Sequence, residues 1–347
     1  MRTKLLLSVL FILNFVFLKS THAEDGILNF GASYTGDIVG NFSGGIKTGC
    51  TYLGLATINA NFNSDKAGWW KGGEAAVKLV NTHGGEPSAT LIGDFQGVSN
   101  IEAGNLTWLY EFWYRHRIGN FSVTAGLQDL NVNFANLSCS GSFVNSSFGI
   151  HSSIADNVPS PIFPLTALGL EVLWDVAPKL TFKASIYDGT PDDFESNPFN
   201  LKWNIHKDEG FLAVSEFEFT PELFSGKCGN YKAGVYYHQH NDTIDVEQKN
   251  GGIYFAASQQ ISNKLTLFSQ FGLSPKRVNN NNYFLSLGIN INGLFKRRSN
   301  DHIGFAIAQA GINSDKVRSE TAFELMYHFN VTENLYIRPD LQYIVNP

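Results

Sequence analysis

The sequence predicts an all-β chain folded as an antiparallel transmembrane β-barrel. Three observations predict it: segments of roughly ten residues that alternate apolar with polar side chains, an N-terminal export pattern, and connections that alternate between very short and long. The clearest segment runs from Trp108 to Arg115. Successive strand side chains point to opposite faces, so Trp108, Tyr110, Phe112 and Tyr114 share one face and Leu109, Glu111, Trp113 and Arg115 the other. A soluble sandwich would fill its apolar face with Val and Ile. The wholly aromatic face here suits a girdle against lipid or a neighbouring subunit, and the face with both charges suits a watery lumen.

Taken in order, the alternating segments are residues 28–42, 51–63, 73–82, 107–117, 121–131, 166–175, 179–188, 210–219, 230–238, 252–261, 264–274, 283–295, 302–312, 321–331 and 335–345, about 15 strands. In the twelfth, Tyr283, Leu285, Leu287, Ile289 and Ile291 oppose Ser286, Gly288 and Asn290. In the last, Leu335, Ile337, Leu341, Tyr343 and Val345 oppose Arg338, Asp340 and Gln342. A dry core cannot hold that second face, whereas an aqueous channel can. The links at residues 118–120, 176–178 and 332–334 are short enough for the periplasmic rim. Residues 131–165 and 188–210 suit the outer side, and the first of these, rich in Ser, Asn and Pro, is expected to fold into the lumen and narrow it. Its candidate constriction residues are Asn145, Ser146, Ser147 and Phe148. No second domain, fixed-period repeat or low-complexity tail interrupts the chain.

Residues 1–23 read as a cleaved secretory signal: Arg2 and Lys4 lead, an apolar run spans residues 5–18, and Thr21, His22 and Ala23 end in a small residue. The run is shorter than the roughly 20 residues a helix needs to cross a bilayer. Residues 24–347 then form the barrel domain in the outer membrane. A mean hydropathy of -0.10 is compatible with strands that alternate. The net charge of -6 argues against a nucleic-acid footprint. Three widely spaced cysteines, Cys50, Cys139 and Cys228, allow at most one internal disulfide and form no metal or redox pattern.

Few constellations carry chemistry. His238 and His240 would share a strand face but lack a third ligand nearby, so they read as solvated rim histidines. Lys47 and Thr48 follow Gly44 and Gly45 without phosphate-loop spacing or a helix. Glu216 and Glu218 share a strand face, as lumen-wall acids do more often than catalytic pairs. No GxSxG element is present. The expectation is a protein without catalysis, cofactor or metal. Glu111, Trp113 and Arg115, and again Arg338, Asp340 and Gln342, combine carboxylate, amide and guanidinium groups, the first trio beside an aromatic plate. Such groups can contact a passing solute or brace the wall as a charge lattice.

The stretch GDFQGVSNIEA followed by LYEFWY resembles the signature of the OprB-type carbohydrate-selective porins, outer-membrane sugar channels of Gram-negative bacteria. YTGDIVGN, FVNSSFG, PLTALGLEV, IYDGTP, ETAFELMYHF and RPDLQYIVNP agree with that family in order and span most of the chain. The resemblance implies 16 strands, passive passage of small sugars or other hydrophilic solutes, contact with outer-membrane lipid, and the trimeric assembly common in such porins. In that family RPDLQYIVNP resembles the penultimate strand. With about 15 strands counted, the expectation is a truncated member whose closing strand is missing. The reading from another class is a non-transporting exported β-protein, a surface adhesin or lectin-like sandwich.

Overall fold

The computed structural model describes residues 7–21, 26–205, 209–241, 246–314 and 317–347. The strands in chain order are β1 (Leu7–Thr21), β2 (Leu28–Ser43), β3 (Gly49–Asn63), β4 (Gly73–Gly84), β5 (Leu106–Ile118), β6 (Phe121–Gln128), β7 (Ala167–Ala177), β8 (Leu180–Asp188) and β9 (Phe211–Phe219). They continue as the two-residue β10 (Glu222–Leu223), then β11 (Lys227–Asn241), β12 (Glu247–Gln260), β13 (Leu265–Leu273), β14 (Asn281–Asn292), β15 (His302–Ile312), β16 (Ser319–Asn330) and β17 (Leu335–Val345). Each of the 15 expected segments is one of these strands. β6 ends short of the expected bound, at Gln128, because the chain turns inward at Asp129.

Each wall strand pairs antiparallel with its neighbour, β9 pairing directly with β11, and the ring closes where β1 lies between β17 and β2. Among the described residues this makes a closed barrel of 16 wall strands with β10 as a small extra arm. Where the sequence leaves the closing strand unaccounted for, Leu7–Thr21 completes the ring in this structure, from Leu7 opposite Val345 to Phe17 opposite Leu335. Closure satisfies backbone groups that lipid cannot. This strand is more apolar than the others, with Leu10, Ile12 and Val16 beside Ser8 and Asn14 inside and Phe11 and Phe17 outside. Residues 1–6 and 22–25, including the expected cleavage site, lie outside the described residues.

The outward rows are apolar, as at Phe217, Leu287, Phe305 and Leu325. The inward rows of β15 and β16 are small or polar. Ala306, Ala308 and Ala310 are wholly buried there, because residues 129–166 fold inside the barrel and seat Phe143 and Phe148 against that wall, and Ala322 is buried beside Val98 and Val144. Residues 85–105 also fold inward, placing Leu91, Ile92, Val98 and Ile101 against β1, β2 and β3. The third long connection, residues 189–210, emerges at the same end of the barrel.

Candidate functional site

The two inward loops are held by carboxylates that alternation aims inside. Glu320 and Glu324 stand four residues apart on β16 and so share its inner face. Glu320 accepts from the backbone amides of Phe95 and Gln96 at 2.7 and 2.9 Å. Glu324 accepts from those of Val144 and Asn145 at 2.6 and 3.0 Å. On β17, Gln342 donates to the Val98 carbonyl at 2.9 Å and accepts from Asn145 at 3.2 Å, so one side chain ties both loops together. Across the barrel, Glu171 receives the Asn133 amide and Glu216 receives the Ala135 backbone N–H. Asp37 holds Ser99 at 2.7 Å and Asn14 at 2.6 Å. Each such bond satisfies loop backbone or side chain that has left water.

The structure separates the two candidate trios. Asp340 and Gln342 are buried beneath the loops, and Arg338 is nearly so, its guanidinium lying over the Tyr336 ring at 5.3 Å. On β5, Glu111, Trp113 and Arg115 face inward but stay partly open. Glu111 lies 3.7 Å from Lys78, Arg115 lies 3.9 Å from Glu171, and the Arg115 guanidinium stands over Trp113 at 4.9 Å. Phe112 and Tyr114 face outward and are exposed.

The expected lipid-facing placement of Trp108 and Tyr110 is corrected. A register shift between Lys78 and Leu79 leaves Tyr110 as an extra residue in β5, so the parity of the strand changes there. Trp108 and Tyr110 turn inward with Glu111, packing on Phe163, and the Tyr110 hydroxyl donates to Asp129 at 2.5 Å.

Of the loop candidates, Asn145 and Phe148 are fully buried against the wall, Phe148 beside Phe143 and Phe268. Ser146 and Ser147 instead line a cavity of about 570 Å³ between the two loops. Its other walls include Gln96, Asn100 and Glu102 from the first loop and Asn131, Asp156 and Phe163 from the second. Burial pushes the Asp94 carboxyl up to about 6 and that of Glu102 up to about 7, the latter against the opposing hydrogen bonds it accepts from the Ser88 backbone N–H. Asp156 is pushed up to about 7 by burial as well.

Glu216 and Glu218 form a lattice with Lys183 and Lys232. Lys183 lies 3.2 Å from Glu216 and 2.6 Å from Glu218. His238 is buried and its Nε2 meets the Gly189 carbonyl oxygen at 2.7 Å, so it is no solvated rim residue. No metal-binding cluster occurs among the described residues. The sequence reading missed Glu320, Glu324, Asp37 and the inward course of residues 85–105. The available signal was positional: Glu320 and Glu324 are the acids of ETAFELMYHF, spaced to share a strand face.

This architecture matches known proteins along nearly its whole length. Porin B of Pseudomonas aeruginosa is 24% identical, covering 95% of this chain and 85% of that protein. The putative porin QuiX of Acinetobacter baylyi is 25% identical, covering 92% and 84%. The high-pH structure of Pseudomonas putida OprB superposes with a TM-score of 0.76 at 18% identity, over 97% of this chain and 93% of that one, which is a likeness of fold. Residues 47–347 match the family described as carbohydrate-selective porin, OprB family. The chain therefore belongs to the OprB family of carbohydrate-selective porins and is an outer-membrane channel for small solutes.

Proposed function

We propose that the channel passes small carbohydrates passively, with the inter-loop cavity as its narrow, solute-contacting section. The observation that carries this is the lining of that cavity. Amides and hydroxyls from Gln96, Ser99, Asn100, Asn131 and Ser146 stand beside the rings of Phe95 and Phe163. Sugars offer hydroxyl edges and C–H faces to such a surface. A volume of about 570 Å³ admits a small sugar. Glu111, Trp113 and Arg115 supply a second contact on the wall, whereas Gln342 ties the two loops together, with Arg338 and Asp340 beside it on the same inner face. Transport of this kind needs weak successive contacts and no bond-making. The outward apolar rows meet outer-membrane lipid.

The test is single-channel current with glucose or maltose added. The sugars should block transiently and saturably, and Ser146→Trp should lower both conductance and sugar affinity. Sugar flux that never saturates, in a channel with normal conductance, would reduce the reading to unselective diffusion.

Residues 1–23 are proposed as the export signal. The apolar run that suits a signal also supplies β1, so the two roles compete for one segment. N-terminal sequencing of protein extracted from the outer membrane decides between them: a start at Glu24 supports the signal, and retention of residues 7–21 supports their place in the wall.

A further inference from the structure

The wall is incomplete beside β5. β6 pairs with β5 only from Phe112 onward and with β7 only as far as Gln128 opposite Ala167, after which the chain turns into the lumen. The part of β5 from Leu106 to Glu111 thus has no strand on that side. Its place is taken by a turn from the 189–210 connection. The Leu109 N–H donates to the Phe199 carbonyl at 3.1 Å, and Asn200 Nδ2 donates to the Leu109 carbonyl at 3.3 Å and to Thr166 Oγ1 at 3.1 Å. Thr166 in turn donates to the Tyr110 carbonyl at 2.5 Å.

The turn is built as a unit. Asn197 Oδ1 accepts from the amides of Leu201 and Lys202, and Asn200 takes the left-handed conformation with φ 51°. Its outer surface is apolar: Phe199 and Leu201 are exposed, and Trp203 stacks on the outward ring of Phe112 at 5.8 Å. Directly inside lie Trp108, Phe163 and Phe194, in ring contact at 5.3 to 6.0 Å. Leu165 and Phe163 line the lumen cavity, while the adjacent Thr166 lines a crevice with Asn200 and Trp203. One layer of side chains, joined by the bonds of Asn200 and Thr166, separates the two. Aromatic surface continues on both sides of it.

We propose that this seam is a lateral port: the turn around Asn200 swings away from β5 and connects the lumen with the surrounding lipid, for amphiphiles that carry a sugar-like polar head and an apolar tail. Ordinary wall strands are joined by a ladder of backbone bonds, whereas among the described residues this closure rests on one backbone bond and a few from side chains. The aromatic track suits the tail, and the polar cavity suits the head.

The test uses the full chain in planar bilayers, with Cys50, Cys139 and Cys228 replaced by Ser and the pair Thr166→Cys and Asn200→Cys added. Dodecyl glucoside dissolved in the bilayer lipid should block the ion current when the pair is reduced. Oxidation should raise the half-blocking level about tenfold, and block by aqueous glucose should not change. Asn200→Ala alone should make lipid-borne block more frequent. Equal block in the oxidised and reduced pair overturns the proposal, as does a lock that weakens glucose block equally, because that places the turn on the axial path. Should the paired variant fail to show heat-modifiable folding, photolabelling of the unmodified protein decides. A lipid-phase photoreactive probe that reaches Trp108 or Phe163 supports the port, and labelling confined to Phe199, Leu201 and Trp203 overturns it.

Discussion

β5 and β17 carry the same kind of alternation and end with opposite fates. Each turns a carboxylate and an arginine inward, Glu111 and Arg115 on one, Asp340 and Arg338 on the other. On β17 that face is covered: Asp340 is 1% and Gln342 0% exposed, and Val98 and Asn145 from two different loops meet Gln342. On β5 the Arg115 side chain keeps 28% exposure and meets Glu171, Trp113 and Thr124. The alternation says which side of the wall a residue takes. What then covers that side comes from loops that leave the barrel elsewhere. The β17 side is a foundation and the β5 side a surface, although the two sequences look alike.

The strongest way to break this contrast is to remove an anchor and a surface charge in parallel. Glu324→Ala on β16, beside β17, strips two buried amides of their acceptor and should cost about 3 kcal/mol of stability in denaturant titrations followed by heat-modifiable mobility. Glu111→Gln removes one half of a partly hydrated pair and should cost under about 1 kcal/mol. Similar losses for both would mean that β5 bears the loops as β16 and β17 do. Next in size, Gln342→Ala removes a donor to one loop and an acceptor to the other. A loss of about 1 to 2 kcal/mol is expected, with noisier open-channel current as the two loops uncouple. Steady current would show that Glu320 and Glu324 suffice.

Arg115→Ala sharpens the comparison from the other side. Folding should be nearly unchanged, while the reversal potential in a salt gradient should move toward cations because the guanidinium beside Glu171 is removed from the lumen face. An unchanged potential would take Arg115 out of the ion path.

The smallest effect concerns pH. Asp94 and Glu102 sit on the 85–105 loop with carboxyls raised to about 6 and about 7, so the seated loop holds protons that the released loop gives up. Its attachment is therefore strongest below the ordinary carboxylate range and weakens as pH rises toward 7. Protease protection of residues 85–105 in micelles should fall across that window, and Glu102→Gln should flatten the fall. Protection that increases with pH would reverse the assignment of burial as the dominant cause.

Fifteen of the strands, their approximate ends and the side most of their residues take are legible in the chain alone, because the two-residue period of a strand is local and a lipid-facing wall enforces it. Glu111, Trp113, Arg115, Arg338, Asp340 and Gln342 could be assigned to inward faces on that ground alone. Three features belong to the assembled fold. The extra residue at Tyr110 reverses the parity of half a strand, and a bulge is visible only against its partner strand. Residues 85–105 enter the lumen because Glu320, more than two hundred positions away, receives the amides of Phe95 and Gln96. Residues 7–21 close the ring because β17 and β2 leave unpaired edges at matching register, and an edge is a property of the assembled sheet that no segment carries alone.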